Sequence, residues 1–298
     1  TSRDALHDLN ELKTVIEKRH GGASDLEDFL RKAHFIDYEG TRAMIEAHRV
    51  NVPRSTGVIQ WMLNSAWPSL YWQMYDWYLV PVSSYWSVKK GCAPQQLIYN
   101  YGDKHVYAVN DEKEDMDLRA FMTVYGLDGT VLSDAECDVE MAAGSSIKVF
   151  ETPELDKIGF VFLRLEDAKG NVVSRNEYCL AEVMDKHNWE KYRWWRTQIE
   201  SYADFTALND LTAAEVTAET VKTDNGLEVT LENRSSVVAF FIRMSLKDDA
   251  GNLVVPAFWS DNLVTLAQGE KLTFSCKAGG GKTGEVSGWN VAEQTLAL

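Results

Sequence analysis

Two different hydrophobic periods run along this chain. Leu6, Leu9, Leu12 and Ile16 recur at three- and four-residue steps, which predicts a helix over 3–19 closed by Gly21-Gly22. A second helix is expected from Ser24, with Glu27 completing a capping box, to about His48. Phe29, Ala33, Ile36, Gly40, Ala43 and Ala47 form its apolar stripe, and the small residues among them imply close packing on another element. Glu39 and Glu46 fall in the same helix and are expected to face solvent or form salt bridges. Asn51–Pro53 ends it. Thr56–Leu63 then reads as a short buried strand, followed by a helical stretch near Ser83–Lys90 whose Lys89-Lys90 suits a solvated helix end. Helix, loop, strand and helix is the rhythm of an α/β repeat, too short to be a domain, so the strand must find a parallel neighbour elsewhere.

From about Gln96 the period shortens to two. Leu97–Tyr101, His105–Asn110, Leu118–Tyr125, Thr130–Val139, Ser146–Glu151, Gly159–Glu166 and Val172–Cys179 are short apolar or alternating runs. Turn signals such as Gly102-Asp103, Asp128-Gly129 and Gly170-Asn171 part them, and the set predicts an antiparallel β-sandwich. Glu182–Leu211 is a polar and aromatic connector whose Trp189, Trp194 and Trp195 can clamp domains or face a ligand. A second sandwich is expected from Ala214–Thr223, Leu227–Asn233, Ala239–Leu246, Leu253–Trp259, Leu263–Leu266, Lys271–Cys276 and Glu285–Asn290. Asp128-Gly129 and Gly251-Asn252 hold similar places in the two sets, which suggests a duplicated fold. Gly279–Gly281 and Gly284 read as a flexible loop without the spacing or Lys-Ser/Thr ending of a phosphate-binding loop.

The densest chemistry lies in Thr56–Lys90. Trp61, Trp67, Trp72, Trp77 and Trp86 crowd with Tyr71, Tyr75, Tyr78 and Tyr85 around Asn64, Gln73 and Asp76. Flat rings beside amides and a carboxylate suit a ligand with apolar faces and hydroxyls, as a sugar has; the competing reading is an aromatic core under a helix. The whole chain has 10 Trp, 12 Tyr and 11 Phe, which favours carbohydrate or sandwich surfaces over a helical bundle. Its net charge of −15 argues against nucleic acid or an anionic membrane as partner. No apolar run is long enough for membrane insertion, and the first residues lack the apolar core of a signal peptide, which leaves export open. Cys92, Cys137, Cys179 and Cys276 show no metal or redox spacing and read mainly as small buried side chains, with a Cys137–Cys179 contact within one sandwich left open. His34, His48, His105 and His187 are too scattered to be a ligand set, so neither metal nor cofactor is expected.

Several of these stretches carry a resemblance. Thr56–Ser69, TGVIQWMLNSAWPS, followed by Tyr75-Asp76-Trp77-Tyr78, resembles the last barrel strand and following loop of glycoside hydrolase family 2. The similarity is to the exo-β-D-glucosaminidases and their relatives, the β-mannosidases and mannosylglycoprotein endo-β-mannosidases. Phe29–Glu46 looks like the helix before that strand. Tyr202–Leu211 resembles the lead into a terminal sandwich, and Phe258–Leu266, Gly269-Glu270 and Ser287-Gly288-Trp289-Asn290 resemble its strands. The resemblance spans essentially the whole chain.

It implies a mixed fold: the last strand-helix units of a (β/α)8 barrel over 1–95, an immunoglobulin-like antiparallel sandwich over 96–181, the connector over 182–211, and a second such sandwich over 212–298. Family members retain configuration with an acid/base Glu and a nucleophile Glu on earlier barrel strands. Retention needs two carboxyl groups about 5–5.5 Å apart, and Asp76 has no second carboxylate in Thr56–Asp76 to pair with. No catalytic residue is therefore assigned. By similarity Trp61 and Trp67 stack on sugar or shape the pocket, Asn64 bonds a hydroxyl or a neighbouring carboxylate, and Asp76 and Tyr78 reach the subsite. Asp76 suits the ammonium of a glucosaminide, or a structural hydrogen bond. The expected partners are the amino-terminal part of the same enzyme, covalent or separate, and a β-linked oligosaccharide of glucosamine or mannose, in the periplasm or outside the cell. The rival readings are an endo-β-mannosidase of the N-glycan core and a non-catalytic carbohydrate-binding or structural module.

Overall fold

The computed structural model describes residues 9–68, 73–193, 196–224, 226–281 and 283–298. Leu6, Ser69, Tyr71, Trp72, Trp194 and Trp195, used in the sequence reading, lie outside the described residues. Contacts divide the chain into two compact units: the residues up to Ile59 with Ser87–Gly126 and Val131–Asp210, and Gln60–Trp86 with Leu127–Thr130 and Leu211–Leu298.

In the first unit, helix α1 spans Leu9–His20 and helix α2 Leu26–Val50. The cap of α2 is Asp25, one residue beyond the expected Ser24, because its carboxylate accepts from Asp28 N at 2.9 Å while Asp28 Oδ2 accepts from Ser24 N at 3.0 Å. Burial works to raise the Asp28 carboxyl, but Lys32, Ser24 N and Arg31 outweigh it and bring it down to about 2.

The face that α2 buries is not the small-residue stripe. Its buried positions include Asp28, Lys32, Phe35, Glu39, Arg42, Glu46 and Arg49, stepping alternately by four and three, which is one continuous helical face. Gly40 and Ala47 are exposed, together with Leu30 and Met44 on that side. The buried face is charged because each ion meets a partner. Arg19 Nη2 lies 2.5 Å from Glu39 Oε2. Arg42 stacks 4.0 Å over the Tyr178 ring and donates to Glu177 O and to Asn176 Oδ1. Glu46 accepts from Tyr178 Oη at 2.8 Å and Asn176 Nδ2 at 2.7 Å. Arg49 donates to Gln96 Oε1 at 2.6 Å and to Asp111 Oδ2 at 2.9 Å. Burying such groups costs several kcal/mol per ion unless every one is paired. Burial pushes the Glu46 carboxyl up, against the pull of Arg42; for Glu177 burial pushes the same way, but Arg175 and Lys90 win and the carboxyl sits low. Helix α3, Ser83–Gly91, supplies that Lys90, which is buried 2.8 Å from Glu177 rather than solvated.

These partners belong to a seven-stranded sandwich: β1 (Gln95–Asn100), β2 (His105–Asn110), β3 (Met116–Gly126), β4 (Val131–Met141), β5 (Ser145–Glu151), β6 (Ile158–Glu166) and β7 (Val172–Ala181). One antiparallel sheet has the order β1-β2-β5 and the other β4-β3-β6-β7. Alternate residues of β3 and β6, among them Ala120, Met122, Leu163 and Leu165, fill the space between them with Leu97 and Val106. Tyr178 Oη also accepts from Tyr99 N at 3.1 Å, so the residue that anchors α2 ties β7 to β1. Cys137 on β4 and Cys179 on β7 stand on opposite edges of one sheet and are offset along the strands, so three strand spacings alone put them at least about 14 Å apart, which rules out a disulfide; both are free. The connector contains a hairpin that its polar pattern did not reveal, β8 (Lys186–Arg193) with β9 (Arg196–Ser201). Beyond it, Phe205 lies 4.7 Å under the Arg19 guanidinium, and Phe205 N donates to Arg19 O at 2.7 Å.

The second unit holds β10 (Val216–Thr223), β11 (Gly226–Asn233), β12 (Ala239–Lys247), β13 (Ala257–Trp259), β14 (Val264–Leu266), β15 (Lys271–Ala278), β16 (Thr283–Ser287) and β17 (Gln294–Ala297). They form sheets ordered β10-β11-β15-β13 and β14-β12-β16-β17. The expected strand over Leu253–Trp259 is shortened to Ala257–Trp259, after Pro256, which has no N–H for a ladder. Strand β17 was not anticipated. Gly284, read as part of a loop, lies in β16 facing it, where an added Cβ would stand 3.3 Å from Leu296 Cβ.

The two sandwiches repeat their local devices. Asn110 donates its amide to Glu114 O, Met141 O and Ala142 O, and Asn233 donates to Val237 O, Leu266 O and Ala267 O. Asp128-Gly129 follows β3 as Asp248–Asn252 follows β12, while the bonding of the Asp248–Asn252 turn is repeated at Asp167–Asn171. In both, the leading Asp accepts from the backbone N–H groups two and four residues on, and a glycine at positive φ follows.

Thr56–Leu63 forms no strand. Its only ladder-like contact is at its end, a parallel bridge between Asn64 and Tyr75, with a second bridge from Tyr75 to Pro81. A parallel strand is built by its neighbours, and none is paired with it here.

Arg42→Leu is expected to destabilise the protein by about 3–5 kcal/mol, because the buried Glu177 O and Asn176 Oδ1 lose their donor and the buried Glu46 carboxyl loses the charge that opposes its upward shift. Lys13→Ala, which removes an exposed pair at 3.9 Å, is expected to stay within about 0.5 kcal/mol in the same denaturant titrations. The Asp28 carboxyl sits below its ordinary 3.8, so its stabilisation is complete above that value and fades as pH falls toward about 2. The stability gap between the native chain and Asp28→Asn should therefore be flat near neutral pH and shrink through that acid window; a gap that widens there would refute the assignment.

Candidate functional site

The aromatic segment Gln60–Trp86 belongs to the second unit and is mostly irregular. Its fold comes from a few backbone bonds: Met74 N and Tyr75 N both donate to Leu63 O, at 3.1 and 3.0 Å, and Val82 N donates to Met74 O at 3.0 Å. These draw the residues after Leu63 against those around Tyr75. Asn64 thus bridges to Tyr75, next to Asp76, so two of the five expected site residues share one folded patch. Ser84 Oγ donates to Gln73 O at 3.0 Å, and Tyr75 packs 5.0 Å from the Tyr85 ring. Burial, with Tyr85 adding to it, pushes the Tyr75 phenol up to about 12, so it remains protonated at neutral pH.

Asp76 is a turn-former. Asp76 N donates to Val80 O at 3.1 Å, and Asp76 Oδ1 accepts from Val80 N at 2.9 Å. The turn uses Oδ1 of the carboxylate. Asn64 Nδ2 donates to Ser65 O at 3.1 Å, which orients the amide. Trp61, Trp67 and Tyr78 are 73%, 68% and 66% exposed. Ile59, Leu63, Trp77 and Leu79 are exposed as well. Gln73, Ser65 and Trp86 are buried beneath, so the core-under-a-helix reading fits Trp86 but not Trp61 or Trp67. The arrangement offers flat apolar faces, an amide and a carboxylate to a ligand. It supplies no second carboxylate for acid and base work.

Among the described residues, no group of three or more His, Cys, Asp or Glu is placed to hold a metal ion, and no helix is long and apolar enough to cross a membrane. Trp189 of the connector is exposed, with its ring 5.7 Å from His187. One feature escaped the sequence reading, a cavity at one end of the first sandwich lined by residues from 99 to 184. Its residues are dispersed over six segments, and no local spacing could have flagged them.

Two all-antiparallel immunoglobulin-like sandwiches that follow an aromatic segment in the chain define the class. Residues 194–291 match the exo-β-D-glucosaminidase Ig-fold domain family, and residues 102–185 match the mannosidase Ig/CBM-like domain family. The chain is 36% identical to an exo-β-D-glucosaminidase of Hypocrea jecorina, over 94% of this chain and 34% of that protein. It superposes on the crystal structure of an exo-chitosanase of Amycolatopsis orientalis with a TM-score of 0.91 at 32% identity, covering all of this chain and 38% of the other. A mannosylglycoprotein endo-β-mannosidase of Lilium longiflorum is 23% identical over 94% of this chain and 35% of that protein. These two regions are immunoglobulin-like domains of the exo-β-D-glucosaminidase and mannosidase kind found in glycoside hydrolase family 2. The chain spans about a third of the length of the curated relatives it matches.

Because an amide oxygen can replace the carboxylate as acceptor for Val80 N, Asp76→Asn should leave the 76–80 turn as resistant to limited proteolysis as in the native chain. Asp76→Ala should be cut several-fold faster there. Equal cutting of both variants would mean that charge, not this bond, holds the turn.

Proposed function

We propose that this chain is the carboxy-terminal portion of a retaining exo-glycosidase that removes β-linked glucosaminide residues, and that it supplies one wall of the substrate pocket but not the catalytic carboxylates. The observation that carries the reading is the exposed aromatic segment, with Trp61 and Trp67 open to solvent beside the Asn64–Tyr75 bridge. Large apolar side chains left open in one stretch mark a surface that something else covers. In the reading proposed here, α2, the segment around Gly57–Leu63 and α3 are the last units of a (β/α)8 barrel. Thr56–Leu63 becomes a strand only when the preceding barrel strands pair with it, and Trp61 then stands at the carboxyl end, where barrel sites form.

In that assembled site Trp61 and Trp67 stack on the sugar, Asn64 bonds a hydroxyl, and the Asp76 carboxylate meets the substrate ammonium, with Tyr78 at the rim. The two carboxylates that protonate the leaving oxygen and form the glycosyl-enzyme come from the amino-terminal part. Glucosaminide is preferred to mannoside because the relatives at the higher identity are named for glucosaminide cleavage and the segment carries an acidic group suited to an amine. A polysaccharide substrate places the parent protein in the periplasm or outside the cell.

The test is reassembly. Joined to the amino-terminal two-thirds of an exo-β-D-glucosaminidase, the chain should restore release of nitrophenol from p-nitrophenyl β-D-glucosaminide, with the mannoside turned over more slowly. Trp61→Ala should cut kcat/KM about tenfold or more, the loss of one stacked ring. Oligosaccharide binding without hydrolysis would favour a non-catalytic module instead, and faster turnover of internal mannosides would favour the endo-β-mannosidase reading.

A further inference from the structure

The cavity at the end of the first sandwich has a volume of about 280 Å³. Its floor is apolar, made by Val124 of β3, Val161 of β6 and Leu180 of β7, all buried. Leu155 closes one side by lying against Gly159, where any Cβ would come within 2.6 Å of Leu155 Cδ2. The mouth is framed by polar bonds: Thr152 Oγ1 donates to Lys104 O at 2.8 Å and Thr152 N donates to the same oxygen at 3.3 Å, which ties the 101–105 turn to the segment that follows β5. Around this frame stand the exposed carboxylates of Glu154, Asp156 and Glu182, with the single ammonium of Lys104.

The volume is close to the lower bound of small-molecule pockets, about 300 Å³, so the site takes one ring rather than an extended chain. An apolar floor under an acidic rim selects a ring with one apolar face and a positive charge at its edge. A neutral hydroxylated ring would satisfy the floor and leave the rim uncompensated. An anion is opposed by three carboxylates. We propose that this pocket binds a glucosamine-type residue, its ring face on Val124, Val161 and Leu180 and its ammonium among Glu154, Asp156 and Glu182. The choice of amino sugar rests on the glucosaminidase reading; the pocket and its charge do not.

Calorimetric titration of the 298-residue chain with the β-linked glucosamine dimer tests it. The native chain should bind the dimer in the millimolar range and should not bind its N-acetylated form, which lacks the ammonium. The triple variant Glu154→Gln, Asp156→Asn, Glu182→Gln alters only exposed side chains and should weaken binding about tenfold or more, three exposed charge contacts of roughly 0.5 kcal/mol each. In the Trp61→Ala, Trp67→Ala background, where the aromatic segment can no longer stack on sugar, binding that depends on the acidic rim should persist, which separates the pocket from the aromatic segment. An unaltered affinity in the triple variant, equal binding of the N-acetylated dimer, or no binding by the native chain would overturn the proposal. Hydrolysis by the reassembled enzyme alongside any of these results would sink the pocket while sparing the enzyme reading. Binding that depends on the rim, with no hydrolysis on reassembly, would do the reverse.

Discussion

The first unit depends on a charged seam. Helix α2 turns toward the sandwich not its small residues but Lys32, Glu39, Arg42, Glu46 and Arg49, and every one of these is nearly closed to water. Such a face is unfavourable unless its ions are met in register. They are met by groups from distant parts of the chain: Arg19, Gln96, Asp111, Asn176 and Tyr178. Because a displaced helix would strand several ions together, the seam fixes the position of α2 along β1 and β7 more sharply than an apolar stripe would. Tyr178 is the pivot, since its hydroxyl serves Glu46, Asn176 and the backbone of β1 at once.

That choice of face leaves the other side of α2 uncommitted. Leu26, Leu30, Gly40, Met44 and Ala47 are exposed, and small residues in such a row allow an approaching helix or strand to come close. In the other unit, the open Trp61 and Trp67 present the same imbalance between apolar area and available cover. Each is costly for an isolated protein, since apolar area left in water forfeits about 25 cal/mol per Å². Both are ordinary if the surfaces are interior walls of a larger domain, as the proposed reading has them.

Most of both sandwiches was legible because alternation and turn chemistry are local. Leu118–Tyr125 and Leu227–Asn233 announce themselves through period-two burial, and Asp167–Asn171 and Asp248–Asn252 through glycines that supply positive φ. What was not legible depended on distance. The small stripe of α2 looked like a packing face because its polar alternative only makes sense once Asn176 and Tyr178, some 130 residues on, are beside it. Strand β17 needed Gly284 to admit it, and the sandwich-end pocket needed six segments to converge. At the candidate site, the sequence identified the residue types but not their duties: the bond from Val80 N makes Asp76 first a structural group.

The irregular state of Thr56–Leu63 follows from the same distinction between local and distant constraints. Its sequence is apolar and short, suited to a strand with both faces covered, and such a strand draws its stability from parallel neighbours rather than from its own pattern. The bonds it does form, from Met74 and Tyr75 to Leu63, lie at its carboxyl end and fold the following segment back on it. The segment after Leu63 is therefore held by its own bonds from Met74, Tyr75 and Val82, while Thr56–Leu63 has no such partner. On the proposed reading this division would keep the specificity wall in one part of the protein and the chemistry in another, and only a joined barrel would bring ring, hydroxyl ligands and carboxylates into one place.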